Sequence, residues 1–379
     1  MAPYKPMFLA GAIWAVIAVI PVTWQGTIEL FHSPLGNRFS WHGHEMVFGF
    51  AAAMFAGYTL TAMKGWSNSA HISGRGIILL LALWCLARLT AAGVFGTELV
   101  LVLPGSVAFL AYVTFSLACA SLKTPSVKSL MYPIFALTLI SFQIFVLWGA
   151  NSPFVPVLGF AVLLSIVGSR MLAAFGLNWL NNASRNKRFK LAQICGYPST
   201  LAILAALLLE VFIPETEWIV HFLLLAAVGE VIRLSLWICE STFKNRLLSM
   251  LSLAYAWLPL GLFLLALSAL QDWILSNSAA WHALAAGAIA CSIHAVSLRA
   301  VALRSDFLRP LLIDQISFGL LWVAALLRVF APEDTLAGST VPLFWFVAWT
   351  IFIARQSTNL LRPTPRPVFS GLKRSIDCE

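Results

Sequence analysis

The sequence predicts an all-α, polytopic integral membrane protein: a helical bundle of about twelve transmembrane helices with both termini cytoplasmic. Three observations carry this. Of 379 residues, 60% are hydrophobic and only 10% charged, where a soluble chain carries roughly 25% charged residues. Mean hydropathy is +0.88. The apolar runs are about 20 residues long rather than about 10, which selects helices over barrel strands. The same composition excludes a disordered chain.

Twelve spans follow, at 7–25, 41–63, 76–95, 98–121, 129–149, 153–180, 193–213, 218–240, 247–270, 279–303, 311–331 and 340–361. Pro125, Pro153, Pro310, Pro332 and Pro342 punctuate their ends. Lys5 precedes a long apolar run with no small-residue cleavage site, so that run reads as the first span rather than a cleaved signal.

Charge gives the orientation. One set of loops and ends holds Lys5, Lys64, Arg75, Lys123, Lys128, Arg185, Lys187, Arg188, Lys190, Lys244, Arg246, Arg304 and Arg309, and the tail adds Arg362, Arg366, Lys373 and Arg374. The opposite set holds only Arg38, and carries Glu29, Glu215, Glu217, Asp272, Glu333 and Asp334. Seventeen cations against one places the basic side in the cytoplasm. The spans form a single transmembrane domain, 1–362. The basic loop 181–192 joins halves 1–180 and 193–362, between which no convincing sequence repeat is visible. Residues 363–379 read as a short proline-bearing cytoplasmic tail.

A net charge of +9 would raise nucleic acid as a partner of a soluble chain. Here it sets topology, and the partner is the lipid bilayer. Cys85, Cys119, Cys195, Cys239, Cys291 and Cys378 form no CxxC or CxxCH pattern. That removes a disulfide scaffold, a zinc ribbon and covalently attached c-type haem.

The chemistry-bearing motif is Trp41-His42-Gly43-His44-Glu45-Met46, at the mouth of the second span. Ionisable groups there are costly and mark metal, haem or proton chemistry. His42, His44, His221 and His282 all fall at outer helix ends, on three helices, whereas His294 lies about 18 Å deeper than His282. His32 is in an outer loop and His71 in a basic cytoplasmic one. The functional reading is a metal or haem site in the outer third of the bundle; the plainer one is interfacial histidines bonded to water or headgroups. Residues i and i+2 on a helix point about 200° apart. His42 and His44 therefore share one ion only if the backbone there is irregular. Otherwise one faces the bundle and the other turns away. Glu45 reads as a partner that fixes an imidazole tautomer, as a proton carrier, or as a helix N-terminal charge. The small face Gly49, Ala51, Ala52, Ala53, Ala56, Gly57 suits close helix packing or leaves room for a flat macrocycle.

Arg88, mid-span, requires a buried partner, whereas Arg328 can snorkel to the interface. Both guanidinium groups suit haem propionates. A lower polar layer holds Arg170, Glu230, Arg233, His294, Arg299 and Arg355. Glu230 and Arg233, at i and i+3, can neutralise each other. Arg170, Glu230 and His294 are candidates for a proton path or a second site.

These residues carry a family resemblance. Trp41-His-Gly-His-Glu-Met-Val-Phe-Gly-Phe50 closely resembles the WHAHEMxFGF signature of the NnrS family. Tyr255-Ala-Trp-Leu-Pro-Leu-Gly261 is similar to that family's ninth span. Trp281-His-Ala-Leu-Ala-Ala-Gly-Ala-Ile289 with Arg299 resembles its HALTVGAI…R pattern, and Ala324–Arg328 before Ala331-Pro332 its eleventh-span ending. The chain departs from the pattern at Ser252, at Leu303–Asp306 and at Met171–Phe175, all on the cytoplasmic side. The resemblance implies a multi-pass protein of the bacterial inner membrane that contains haem and copper. It further implies a part in nitric oxide resistance linked to denitrification, with nitric oxide as the small-molecule ligand. It carries over His42, His44 and His282 as metal or haem ligands, and Glu45, Arg299 and Arg328 as motif positions. It names no catalytic residue, and whether a reaction is catalysed stays open.

Two other classes compete. A haem-copper oxidoreductase proper needs an adjacent His-His pair, which is missing. A proton- or ion-coupled transporter suits the 6+6 split and buried charges, but does not explain four outer-level histidines and lacks a GxxxDRxGRR-type loop after span 2.

Overall fold

A computed structural model describes residues 1–23, 33–65, 67, 72–149, 155–180, 183–214, 216–270, 275–304, 308–332 and 335–362. His32, His71 and the tail 363–379 lie outside them, as do Glu29, Glu215, Asp272, Glu333 and Asp334.

Each expected span contains a helix. In chain order these are α1 (Tyr4–Ile17), α2 (Arg38–Ala62), α3 (Arg75–Ala91), α4 (Leu99–Lys123), α5 (Val127–Leu147), α6 (Val155–Gly176), α7 (Ala183–Phe212), α8 (Trp218–Trp237), α9 (Arg246–Leu270), α10 (Asn277–Val301), α11 (Leu312–Phe330) and α12 (Val341–Leu360). Eleven of the membrane-length segments are at least 18 residues long and apolar enough to cross a bilayer. α3 has 17 residues, about 25 Å, and falls one residue short of that length. The basic stretch expected as a loop at 181–192 is mostly helical, because α7 begins at Ala183. Ala, Arg, Lys and Leu dominate it from Ala183 on and no glycine or proline precedes Gly196, so helix propensity carries α7 through it. Pro104, Pro133, Pro198 and Pro259 lie inside helices, as spans with buried neighbours allow. A two-residue antiparallel ladder, Leu303–Arg304 with Leu308–Arg309, follows α10.

The chain packs as two units. The first comprises Met1–Pro156 with Phe352–Thr364, and the second Val157–Ile351. In the first, α2 is central, with 83% of its apolar window buried, while α4 and α5 present more of their surface. α1 lies close against α2 because glycine faces admit it: a Cβ at Gly57 would meet Met7 at 2.9 Å, and one at Gly11 would meet Met54 at 3.2 Å. The first and last of the described helices meet here. Lys5 Nζ donates to the Arg362 carbonyl, and Gln356 Nε2 to the Lys5 carbonyl at 3.0 Å. In the second unit α9 and α10 are central, each 72% buried.

Three helices carry a π-helical segment: α2 at Glu45–Ala51, α6 at Leu164–Gly168 and α10 at Ala283–Ala290. Such segments shift the helical register and recur at functional sites. Each stands beside a residue singled out by sequence or by its hydrogen bonds: His44, Ser165 and His282.

Candidate functional site

The first unit buries a charged cluster at the head of α2. Asn37 caps the helix, its side chain accepting from the Phe39 and Ser40 amides at 3.0 Å. Residues Arg38–His44 are α-helical, so His42 and His44 diverge. His42 is half-buried and its Nδ1 meets the Ala18 carbonyl at 2.8 Å. His44 is fully buried, and its Nδ1 meets Glu45 Oε1 at 2.8 Å. The irregular backbone that would let both serve one ion is not found there.

Glu45 is the hub. Its Oε2 accepts from Arg88 Nη1 at 2.7 Å and from Trp14 Nε1 at 2.6 Å. Glu45 and Arg88 are both buried, so the partner that Arg88 requires is this carboxylate. Gly49 makes the approach possible: a Cβ there would collide with the Trp14 ring and with Arg88 Nη1. Trp84 Nε1 donates to the Gly49 carbonyl at 3.0 Å, satisfying an acceptor in the π segment. On the far side of His44, Gln143 Nε2 stands 3.3 Å from Nε2.

The tautomer follows from the partners. A carboxylate at Nδ1 can only accept, so neutral His44 carries its proton on Nδ1 and its lone pair on Nε2, the nitrogen that receives the Gln143 amide proton. His42, His221 and His282 are biased the same way: their Nδ1 atoms face the carbonyls of Ala18, Glu217 at 3.0 Å and Ser278 at 2.7 Å. Metal-ligating histidines tie the second ring nitrogen to a carboxylate or carbonyl in this manner. These tautomers are the ones that Nε2 ligation of a metal or haem iron requires; at His44, tied by a buried carboxylate, the Gln143 amide faces that lone pair and a metal would have to displace it. For His221 and His282 the acceptor is the carbonyl four residues back on the same helix, a local contact. His221 is moreover exposed, stacked beside Trp218 at 5.5 Å between ring centroids.

The second unit holds another buried cluster. Glu230 Oε1 accepts from Ser165 Oγ at 2.6 Å and Ser199 Oγ at 2.8 Å, and Oε2 from Tyr255 at 2.6 Å. Arg233 Nη1 reaches Glu230 Oε1 at 3.0 Å and the Ser165 carbonyl at 2.7 Å. α6, α7, α8 and α9 all contribute. The guanidinium lies where a Cβ on Gly196 would stand. Arg170 is half-buried on α6, beyond the π segment. His294, fully buried, bonds through Nε2 to Ser317 Oγ at 2.9 Å. The Ser317 hydroxyl donates to the Ala348 carbonyl at 2.8 Å, so it accepts from His294, which therefore holds its proton on Nε2. Arg299 lies over the Phe175 ring, 3.4 Å from the centroid, and half-buried Arg328 donates to Ser278 Oγ at 3.1 Å.

Trp14, Gln143, Ser165 and Ser199 escaped sequence reasoning, and Tyr255 entered it only as a motif position. Their signal is tertiary: a polar atom inside an apolar span, on a helix remote in sequence. Among the described residues no group of three or more His, Cys, Asp or Glu is placed to hold one metal ion.

The sequence model of one family, described as "NnrS protein", matches residues 1–364. No curated protein and no solved structure matches the chain.

Proposed function

The chain belongs to the NnrS family, and from that premise we propose that this multi-pass membrane protein holds haem and copper and acts in the nitric oxide response. In this reading it sits in a bacterial inner membrane with the head of α2 facing outward. His44 is the principal ligand, and His42 and His282 are further ones. The supporting observation is the buried chain from His44 Nδ1 to Glu45 to Arg88 and Trp14, which fixes the ring and leaves Nε2 as the basic nitrogen. Haem iron, when bound, supplies the atom that ligates nitric oxide. The chain's part is to orient the imidazole and to keep bulk water from it.

The test is an optical spectrum of detergent-purified protein from haem-supplied cells, oxidised and dithionite-reduced, with copper and iron analysis of the same sample. A Soret band that shifts with nitric oxide and disappears in His44→Ala supports the reading. Absence of both Soret band and copper ends it.

One observation favours a second reading, a proton-coupled transporter. Glu230, buried at a π segment, is contacted from four helices. Proton uptake into liposomes that is lost in Glu230→Gln would select it.

A further inference from the structure

The Glu230 cluster leaves two buried donors unused. Arg233 Nη1 is taken by Glu230, by the Ser165 carbonyl and hydroxyl and by Tyr255, and Nη2 by Thr200 Oγ1 at 3.2 Å. Among the described residues, Arg233 Nε has no hydrogen-bond partner, and neither has Nε1 of Trp237. Both side chains are 3% exposed. The two belong to one place: at i and i+4 they share a face of α8, and the Arg233 Cζ lies over the Trp237 ring, 6.0 Å from its centroid. The Tyr255 ring packs edge-on to the same indole, with centroids 5.5 Å apart. Gly196 on α7 gives the guanidinium its room, since a Cβ there would overlap it. Trp237 is the last residue of α8, at the end that cation placement puts in the cytoplasm.

Buried N–H groups without an acceptor are costly, so the pair calls for one, and the cluster restricts its charge. Glu230 and Arg233 already cancel. An anion set beside them would leave one net negative charge inside the span, which is unfavourable. A proton on Glu230 removes that excess. The charged and titratable groups bonded to Glu230 are Arg233, on its own helix, and Tyr255, from α9; α6 and α7 present hydroxyls, Ser165 and Ser199. A proton on Oε2 also reverses the Tyr255 bond: the phenolic oxygen then accepts, and its O–H is released as a third donor.

We infer that the inner end of α8 binds a small monovalent anion together with a proton. Arg233 Nε and Trp237 Nε1 hold the anion, and Glu230 takes the proton from solution; the Oε2–H bond is the one covalent bond formed. The inference rests on the proton-coupled reading of Glu230 and names what travels with that proton.

Melting midpoints of the full chain in detergent test it, measured in chloride and in formate at constant ionic strength, with gluconate as the larger reference anion, in mildly acidic and mildly alkaline buffer. A ligand of the folded state raises the midpoint. Chloride or formate is expected to do so in acid, with an affinity that falls by up to about tenfold per pH unit once Glu230 ionises, as linkage to one proton requires. Trp237→Phe keeps a ring and loses the N–H, and is expected to need about ten- to a hundredfold more anion for the same rise. Glu230→Gln, neutral at any pH, keeps the anion effect and loses its pH dependence. Should that variant not fold, the pH profile of the parent and Trp237→Phe decide. No anion-dependent rise in the parent at either pH overturns the inference. So does an equal rise in acid and alkali, an undiminished rise in Trp237→Phe, or an unchanged pH dependence in Glu230→Gln. Proton uptake into liposomes separates this from the transporter reading. Anion binding without uptake keeps the site and ends that reading, whereas uptake with no anion effect keeps that reading and ends the inference.

Discussion

Arg88 on α3 and Glu45 on α2 meet at 2.7 Å across 43 residues of sequence, both shielded from solvent. No solvent is at hand to hydrate either charge, so each depends on the other. The pair also fixes His44 and Trp14, which share the same carboxylate. The 17-residue α3 is thereby tied to α2, the most buried of the membrane-length segments.

Breaking this pair from one side is expected to be costly. Glu45→Ala leaves a buried guanidinium uncompensated, and Arg88→Met leaves a buried carboxylate, each at about 3–5 kcal/mol. The double variant Glu45→Ala/Arg88→Met removes both charges and regains a large part of that loss. A double-mutant cycle on detergent melting midpoints measures the coupling. Additive losses would show that the two side chains act independently.

Ligand affinity should respond to the carboxylate without loss of the fold. Glu45→Gln keeps the shape and can still accept from His44 Nδ1 through its amide oxygen, but loses the negative charge. Partners of this kind typically set affinity by 10–100-fold, so haem or copper retention is expected to fall by about that factor. His42→Ala, which gives up a contact with a backbone carbonyl, that of Ala18, rather than with a buried carboxylate, is expected to cost less than His44→Ala. Metal content and Soret absorbance of the three variants check the order.

Much of this was legible in the sequence, where one helix decides the matter. The divergence of His42 and His44 follows from i and i+2 spacing, and the Glu230–Arg233 contact from i and i+3. Arg88 reads from sequence as mid-span, whereas it stands in the last turn of α3; its burial is as expected, but nothing local says that the partner is Glu45 rather than a ligand. Gln143 is 99 residues from His44, and Ser165 is 65 from Glu230. Such encounters depend on which spans become neighbours, information that apolar periodicity does not carry. The helical run from Ala183 was missed because charge was read as loop, although its residues favour helix.

The Glu230 cluster should be sensitive to its neutral partners. Tyr255→Phe removes one hydrogen bond to a buried carboxylate, worth about 1.5–3 kcal/mol. Gly196→Ala places a methyl group inside the present Arg233 guanidinium position and must displace it. Both are expected to lower the melting midpoint, Gly196→Ala more so, while leaving any Soret band unchanged. A spectral change in either would connect the cluster to the cofactor site.

The orientation rests on cation placement and on α3 being a true crossing. Seventeen Lys and Arg against one is a strong bias. Yet α3, at 17 residues, spans only about 25 Å of a hydrocarbon layer about 30 Å thick. If α3 crosses, the loop before α4 lies outside and the start of α5 inside. Thr97 and Val127, both exposed, report on those two places. In a background without native cysteines, Thr97→Cys is expected to react with a membrane-impermeant maleimide on intact cells. Val127→Cys should react only after permeabilisation. The reverse pattern, Val127→Cys labelled and Thr97→Cys protected in intact cells, would mean that either α3 does not cross or the whole protein is inverted; inversion would put His44 at the cytoplasmic face, where a ligand arriving from outside would have to traverse the bilayer to reach it.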